Sequence, residues 1–443
     1  VRRISKIDPS SILKEELPME QIAILGFGCA GYHCLKTLRA YGSDAQVDVY
    51  TDTDLPPCNP MLTTYYVKGK IPYEALFPFG SMEDIQRELH FTWFPKTLVE
   101  KLDASTKTLT LPDGTQRRYD KILLATGTHA FSPPVGDLPA ERVFTMRTVR
   151  DATRLREALS QHRYRRVLVT GAMMVGIKLV ELLVDRGIEC VFSDLAPHVF
   201  PLAAFDEASE RVEALLRRKG VDLRFGVKVE QAQLADDGMA DIRFSDGSTT
   251  RADIAIMCIG IRPNLSMLDP TQFKMGKGVQ VDAHMESSVP GIYAAGDCCD
   301  ALDLQVRAPR QIGLWANAGY QGDTAGASMC GASLPYGGDI AHNITHFLGI
   351  DFISFGDKTL PGEKTVFLDE DDKYIIATVR DGQIQCINIL NLFENCGTIK
   401  NYMMRRLNDP NTPPSPQLDG LMLKNGVPQT LIDVLGGNRH DGN

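Results

Sequence analysis

Gly26, Gly28 and Gly31 stand in G-x-G-x-x-G spacing within "ILGFGCAG", and Gly171 and Gly176 keep the outer positions of the same spacing in "TGAMMVG", with Met173 between them. Such glycines act through what they lack. The first permits a tight turn, the second lets the backbone approach a pyrophosphate, and the third lets a helix lie close to a strand, so that its N-terminal N–H groups face the phosphates. A carboxylate is then expected at the end of the next strand, where it takes ribose hydroxyls. After the first set, "VDVY" runs into Thr51 and Asp52, one place late, so Asp52 either fills that role or is a loop aspartate facing solvent. After the second, Asp194 closes "CVFSD", where a carboxylate would hold an unmodified ribose and repel a phosphorylated one. Met173 brings a Cβ and a long side chain into the phosphate gap. The second site therefore takes NADH, takes another adenine nucleotide, or is empty.

Other residue types narrow the chemistry. Asp297, in "AAGDC", follows a buried strand and is expected to precede a helix, a place where polar groups converge on a ligand. An N-cap role is compatible with that one. Cys298 and Cys299 read as packing residues at the start of this helix. Cys29 and Cys34 have C-x4-C spacing, but Cys29 lies inside the glycine turn and Cys34 one helical turn on, which favours packing over a redox pair. His342 and His346 in "HNITH" have the spacing of helical metal ligands, yet the segment reads as a strand, where positions four apart are separated by about 13 Å. No metal site is expected.

The elements that position these residues repeat. "QIAILGFGCAGYHCLKTLRAYGSDAQVDVY" is a strand, turn, helix and strand, and "RVLVTGAMMVGIKLVELLVDRGIECVFSD" is another such unit about 145 residues later. Each is followed by an Asp-Gly hairpin, "LTLPDGTQRRYDKILLATG" and "ADIRFSDGSTTRADIAIMCIG". "TMRTVRDATRLREAL" reads as a linker entering a helix, "GIYAAGD" as a buried strand and "GLWANAGYQGDTAGASMCG" as a helix. From about Asp339 alternating strands indicate an antiparallel domain. "NDPNTPPSPQLDG" reads as a proline-rich linker and "PQTLIDVLGG" as a short docking helix. In a chain of 443 residues with net charge −9, basic clusters such as Arg163–Arg166 are dispersed among acidic segments, against nucleic acid as a partner. No apolar run reaches the roughly 18 residues of a membrane span. The N-terminal segment lacks the pattern of a secretion signal, and ten cysteines without zinc-type spacing fit reduced thiols in the cytoplasm.

Taken in order, "ILGFGCAG", "KILLATGT", "TGAMMVG", "CIGIRPN" and "VPGIYAAGDC" resemble the FAD-dependent pyridine nucleotide-disulfide oxidoreductase superfamily over about Gln21 to Met404. "VYTDTDLPPCNPMLTTYYVKGK" and "APHVFPLAAFDEASERVEALLRRKGVDLRFG" are most similar to the branch of nitrite reductase flavin domains, rubredoxin reductases and ferredoxin reductases. The resemblance implies an α/β fold with two Rossmann-like nucleotide-binding domains, the FAD domain interrupted by an NAD(P)H domain, plus a C-terminal α+β interface domain. The expected boundaries are an N-terminal extension (1–20), the FAD-binding domain (21–140 and 264–338), an NAD(H)-binding-like domain (141–263), the interface domain (339–404) and the tail (405–443). It also implies roles: Gly26, Gly28 and Gly31 on the FAD pyrophosphate, Asp297 on the ribityl or phosphate side, Thr126 and Gly127 packed beside FAD, and Leu314 and Trp315 near the pyrimidine end of the flavin.

The sequence departs from the family in three places. The C-x4-C redox pair is missing, and Cys58 is a lone cysteine that is either a thiolate touching the flavin or an ordinary packing residue. Thr64 stands where the branch has a lysine, and Lys178 where it has a glutamate. Lys178 would either stabilise negative charge on a reduced flavin or acceptor, or reach an unrelated carboxylate or solvent. The implied activity is hydride transfer from NADH, preferred over NADPH, to FAD and then to a protein or small-molecule acceptor without a redox disulfide. The alternative is an FAD-carrying subunit of a multi-subunit dehydrogenase, its second site degenerate or holding an adenine nucleotide. Partner subunits or a homodimer fit either.

Overall fold

The computed structural model describes residues 19–437, so most of the expected N-terminal extension lies outside the described residues. Its helices are α1 (Cys29–Ala40), α2 (Thr63–Lys68), α3 (Met82–Leu89), α4 (Val149–Gln161), α5 (Met174–Asp185), α6 (Asp206–Arg218), α7 (Trp315–Met329), α8 (Cys396–Asn408), α9 (Pro416–Lys424) and α10 (Gln429–Gly436).

Two five-stranded parallel sheets carry the two glycine turns. The first runs Ile292–Ala294, Lys121–Leu124, Gln21–Leu25, Gln46–Tyr50, Thr92–Phe94. The second runs Val143–Thr145, Ile254–Met257, Arg166–Thr170, Glu189–Asp194, Asp222–Phe225. Their central strands are apolar runs buried on both faces, as parallel sheets between helices require. Each sheet has a three-stranded antiparallel meander, and each meander contains the expected Asp-Gly hairpin, with Gly114 and Gly247 at positive φ. One outer position is filled in opposite ways: by a late strand, Ile292–Ala294, in the first sheet and by an early strand, Val143–Thr145, in the second. The first unit is therefore built from two separated pieces of chain. The two connectors crossing between the units pair with each other, Thr128–Ala130 antiparallel to Ile261–Pro263.

α1 and α7 hold the two pieces of the first unit together by close backbone approach. A Cβ on Gly322 would lie 2.3 Å from the Ala30 carbonyl oxygen, and one on Gly326 2.5 Å from that of Cys34. The helix expected directly after Asp297 is absent. Cys299–Asp303 is instead a strand, paired on one edge with Val279–Gln280 and on the other with Ala308–Arg310, and the helix waits until Trp315. Cys298 and Cys299 are buried, as packing residues, but in a sheet.

The C-terminal sheet is antiparallel, in the order His342–Phe347, Ile350–Gly356, Gln383–Leu390, Tyr374–Arg380, Glu363–Asp369. Alternation divides its faces. Phe352, Ile376 and Cys386 join the core of the second nucleotide unit, while Ile353, Ile375 and Ile387 join Ile399, Tyr402, Leu431 and Ile432 of α8 and α10. The expected linker also differs from the structure: Pro416 opens α9, a position where its missing N–H costs nothing, and Met422 of that helix is buried in the same cluster. The docking helix is α10, and it docks on this chain's own sheet.

Candidate active site

The two glycine turns sit at the carboxyl ends of the two parallel sheets. Gly26 has φ +92° and Gly171 φ +114°, both left-handed, and each is pressed against the neighbouring strand's exit: a Cβ would fall 2.3 Å from the Ala125 oxygen or 2.2 Å from the Cys258 oxygen. Gly31 and Gly176 are crowded in the same way, their Cβ positions 2.4 and 2.0 Å from the carbonyl oxygens of Gly26 and Gly171. The middle position differs. A Cβ on Gly28 would meet nothing within 4 Å, so the protein itself does not demand glycine there. Gly28 (φ −82°, ψ −157°) and Met173 (φ −107°, ψ −165°) share one extended N-cap conformation. Met173 leaves the backbone path unchanged, and its side chain packs against the core of the second unit. Neither α1 nor α5 has a side-chain cap or an acidic residue in its first turn, so the first N–H groups of both remain for an anionic ligand.

The carboxylates behave differently at the two turns. Asp194 is engaged by its own turn: its Oδ2 accepts from the Ala172 amide at 2.6 Å and its Oδ1 from the Ala196 amide at 2.8 Å. Asp52 is exposed in the loop after Tyr50.

Asp297 faces a cation that the sequence reading passed over. Arg147 Nη2 donates to its Oδ2 at 2.7 Å, Thr128 Oγ1 lies 3.4 Å from the same oxygen, and the amide of Gln311 donates to its backbone oxygen. Arg147 lies just ahead of the Thr148 cap of α4, which forms a capping box with Asp151. The signal is present in "MRTVRD", which by its sequence alone reads as linker. Thr126 and Gly127 are tied to Asn264, the last residue of "CIGIRPN": Thr126 Oγ1 donates to its carbonyl at 2.7 Å, its side-chain amide donates to the Thr126 carbonyl at 2.9 Å, and its N–H donates to the Gly127 oxygen at 3.0 Å.

Leu314 is the N-cap of α7 and Trp315 its first residue. The Trp315 ring stacks on Phe79, with centroids 5.6 Å apart, and Phe79 stacks on Tyr32 of α1 at 3.9 Å. The Trp315 Nε1 is buried without a hydrogen-bond partner. A buried indole N–H ordinarily finds one, so this donor fits a ligand with an acceptor atom at that place. Together with the uncapped α1, the open cradle at Gly28 and the Arg147–Asp297 pair, it makes a donor set that suits FAD.

Lys178 and Thr64 lie between α5 and α2. The Lys178 ammonium sits 2.5 Å from Glu181 Oε2 and 2.5 Å from the His346 carbonyl oxygen, and 4.9 Å above the Tyr65 ring. It meets a carboxylate, the second of the two expected outcomes. Glu181, only 5% exposed, also receives Lys68 Nζ at 3.2 Å. Lys68 lies one turn beyond Thr64 and Glu181 one turn beyond Lys178, so a lysine–glutamate pair exists one helical turn away from the expected positions. Burial works against the charge on Glu181, and Lys178 and Lys68 outweigh it, holding the carboxyl below its usual range.

Cys58 is partly buried and packs at the edge of the second unit's core. Burial raises its thiol, against the opposing pull of Arg147, which favours the protonated form over a thiolate. All ten cysteines are free. His342 and His346 lie in one strand with separate partners, the Ile340 carbonyl and Asp351. A surface groove of about 680 Å³ lies away from both turns, lined by Arg166, Arg224, Arg243 and Arg251. Asp222, Glu189, Asp237 and Asp241 already pair with three of these. No described helix is long and apolar enough to cross a membrane.

Among curated proteins, the chain is 26% identical over 319 residues to an NADH oxidase of Methanocaldococcus jannaschii, covering 71% of this chain and 70% of that one. It is 27% identical over 390 residues to the epsilon subunit of the NADH-dependent phenylglyoxylate dehydrogenase of Aromatoleum evansii, covering 86% and 91%. The ferredoxin–NAD(+) reductase component of the p-cumate 2,3-dioxygenase system of Pseudomonas putida is 30% identical over 322 residues, covering 72% and 77%. Among solved structures, putidaredoxin reductase in its covalent complex with putidaredoxin shares the fold with a TM-score of 0.80 at 22% identity, over 87% of this chain and 93% of that one. The water-forming NADH oxidase from Lactobacillus brevis does so with a TM-score of 0.80 at 22% identity, over 93% and 100%. The pyridine nucleotide-disulphide oxidoreductase profile matches residues 20–322. With its two nucleotide turns and its FAD-suited donor set, the chain belongs to the pyridine nucleotide-disulphide oxidoreductase family, and it is an oxidoreductase whose cofactors are FAD and NAD(H).

Proposed function

We propose that this chain is an NADH-dependent flavoprotein reductase that passes electrons to an external acceptor without a protein disulfide. The observation that carries the reading is the pair of uncapped helix N-termini, α1 and α5, each behind a glycine turn that closes a parallel sheet. Bound FAD supplies hydride acceptance and onward electron transfer. The protein's own part is placement. Residues 21–140 and 264–338 form the FAD unit, in which Gly26, Gly28 and Gly31 with the amides of α1 hold the pyrophosphate and Asp52 the adenosine ribose. Asp297, oriented by Arg147, takes a ribityl hydroxyl, Thr126 and Gly127 line the ring, and Leu314 and Trp315 hold the pyrimidine end. Residues 141–263 form the NADH unit, with Gly171, Gly176 and α5 at the pyrophosphate. Asp194 at the ribose sets a negative charge against the extra phosphate of NADPH. Residues 339–404, extended by the helices of the tail, form the interface unit. Lys178 with Thr64 and Tyr65 holds α2 against α5, and Cys58 lines the approach to the ring as a thiol.

Anaerobic titration tests this reading: NADH bleaches the flavin absorbance rapidly and NADPH does so at least tenfold less efficiently. Bound FAD that neither nucleotide bleaches overturns it. A second reading, an FAD-carrying subunit of a larger dehydrogenase, is favoured by the similarity that spans 91% of the phenylglyoxylate dehydrogenase epsilon subunit. On that reading the natural chain elutes within a larger assembly, and the isolated chain reduces artificial acceptors only.

A further inference from the structure

Phe200 combines three properties that no role assigned so far requires. It is fully buried, it holds a left-handed backbone at φ +54°, and its N–H donates at 2.7 Å to the carbonyl of Ala172, the second residue of the dinucleotide turn. A bulky aromatic residue adopts that conformation only where its surroundings force it. Its own turn holds its carbonyl, through the Ala203 and Ala204 amides, and the C-terminal sheet holds its ring. The Phe200 ring stacks on Phe352, with centroids 4.2 Å apart and planes 16° from parallel, and meets Phe347 edge-on at 5.8 Å. The residues that follow are held by the same sheet. Asn388, itself fully buried, accepts from the Phe205 amide at 2.7 Å and donates to the Ala203 carbonyl at 2.9 Å. Ser354 donates to that same carbonyl at 2.8 Å, and Lys358 to the Ala204 carbonyl at 2.7 Å.

Ala172 is therefore gripped from two sides: its N–H by Asp194, the residue that ends the strand, and its C=O by Phe200, whose position the C-terminal sheet sets. We infer that Phe200 is a positioning residue for the NADH pyrophosphate, a strut through which the C-terminal sheet fixes the orientation of the Ala172 peptide and of the α5 N–H groups behind it. The C-terminal sheet is then part of the NADH-binding apparatus as well as an interface.

The inference rests on reading the second turn as the NADH site, and its test separates the two. In the FAD-loaded protein, Phe352→Leu removes the aromatic stack by a change in the C-terminal sheet, outside the nucleotide unit's own sequence, and Phe200→Leu removes it from the other side. Two measurements are made on each: hydrogen exchange of the amides in residues 170–176, and steady-state kinetics with NADH and ferricyanide. The expected result is at least tenfold faster exchange in that stretch, a KM for NADH raised about tenfold, kcat within twofold, and unchanged FAD content, with Phe352→Tyr restoring both readouts. Unchanged exchange in both leucine variants overturns the strut whatever NADH does. Faster exchange in a protein whose wild type NADH does not bleach keeps the strut and overturns the NADH reading. Equal losses in kcat and FAD content show general destabilisation and overturn the positioning role.

Discussion

The two glycine turns differ at one position out of three, and the difference separates what the fold requires from what the ligand requires. At the outer positions both turns are glycine because backbone oxygens occupy the space where a Cβ would stand. At the middle position nothing in the protein occupies that space at Gly28, so the fold itself does not require glycine there, and on the proposed reading the requirement comes from the ligand. Met173 shows the same backbone conformation reached with a side chain. A sequence motif of three glycines thus mixes two constraints of different origin.

The largest expected effects break the outer positions. Gly26→Ala should lower FAD affinity by more than 100-fold and destabilise the fold by several kcal/mol, because the new methyl meets a carbonyl oxygen in a left-handed backbone. Gly171→Ala should abolish bleaching by NADH while FAD remains bound. Equilibrium dialysis of FAD and stopped-flow reduction check the pair, and loss of both functions in both variants would mean that the turns are not independent.

A smaller effect sharpens the middle position. Gly28→Met should leave the melting temperature within a few degrees of wild type and weaken FAD binding by about tenfold, which is about 1.4 kcal/mol. The reciprocal Met173→Gly should lower the KM for NADH. An equal loss of thermal stability in Gly28→Met would show that the position serves the fold after all.

The smallest effect concerns what lies behind each turn. Glu181 has its carboxyl held below the usual range by two lysines. A group depressed in the folded state contributes stability above its unfolded pKa and loses it as pH falls through the folded value. Denaturant unfolding at pH 7 and pH 3 should therefore show wild type losing on the order of 1 kcal/mol more than Glu181→Gln over that interval. Parallel losses in the two proteins would remove the carboxylate from the stability balance.

Much of this was legible in the chain because it is local. Strand, turn and helix in each unit, the Asp-Gly hairpins and the alternating C-terminal strands follow from periodicity and turn residues within short windows. What escaped depends on distant partners. Arg147 reads as linker because its partner, Asp297, lies 150 residues away and in the other unit. Cys299–Asp303 looked like a helix start because its two pairing strands, Val279–Gln280 and Ala308–Arg310, are not visible from its own residues. Lys178 was legible as an anomaly, but its resolution through Glu181 and Lys68 needed the α2–α5 contact. Phe200, the one strained aromatic behind the second turn, gives no sequence signal, since positive φ is ordinarily announced by Gly or Asn.

The close approach of α1 and α7 also sets an order of events during synthesis. Gly322 and Gly326 must reach Ala30 and Cys34, so α1 cannot complete its unit until nearly 300 more residues have followed it, whereas the second unit closes over a much shorter stretch, Val143 to Met257. Domains tend to fold as they emerge, and the inserted unit is then finished while the outer one still waits for its last strand and helix. Once folded, it also holds the two ends of its own insertion side by side through Thr128–Ala130 and Ile261–Pro263, which shortens the loop that the late pieces must close. The inserted unit would thus serve as the scaffold on which the outer unit is assembled.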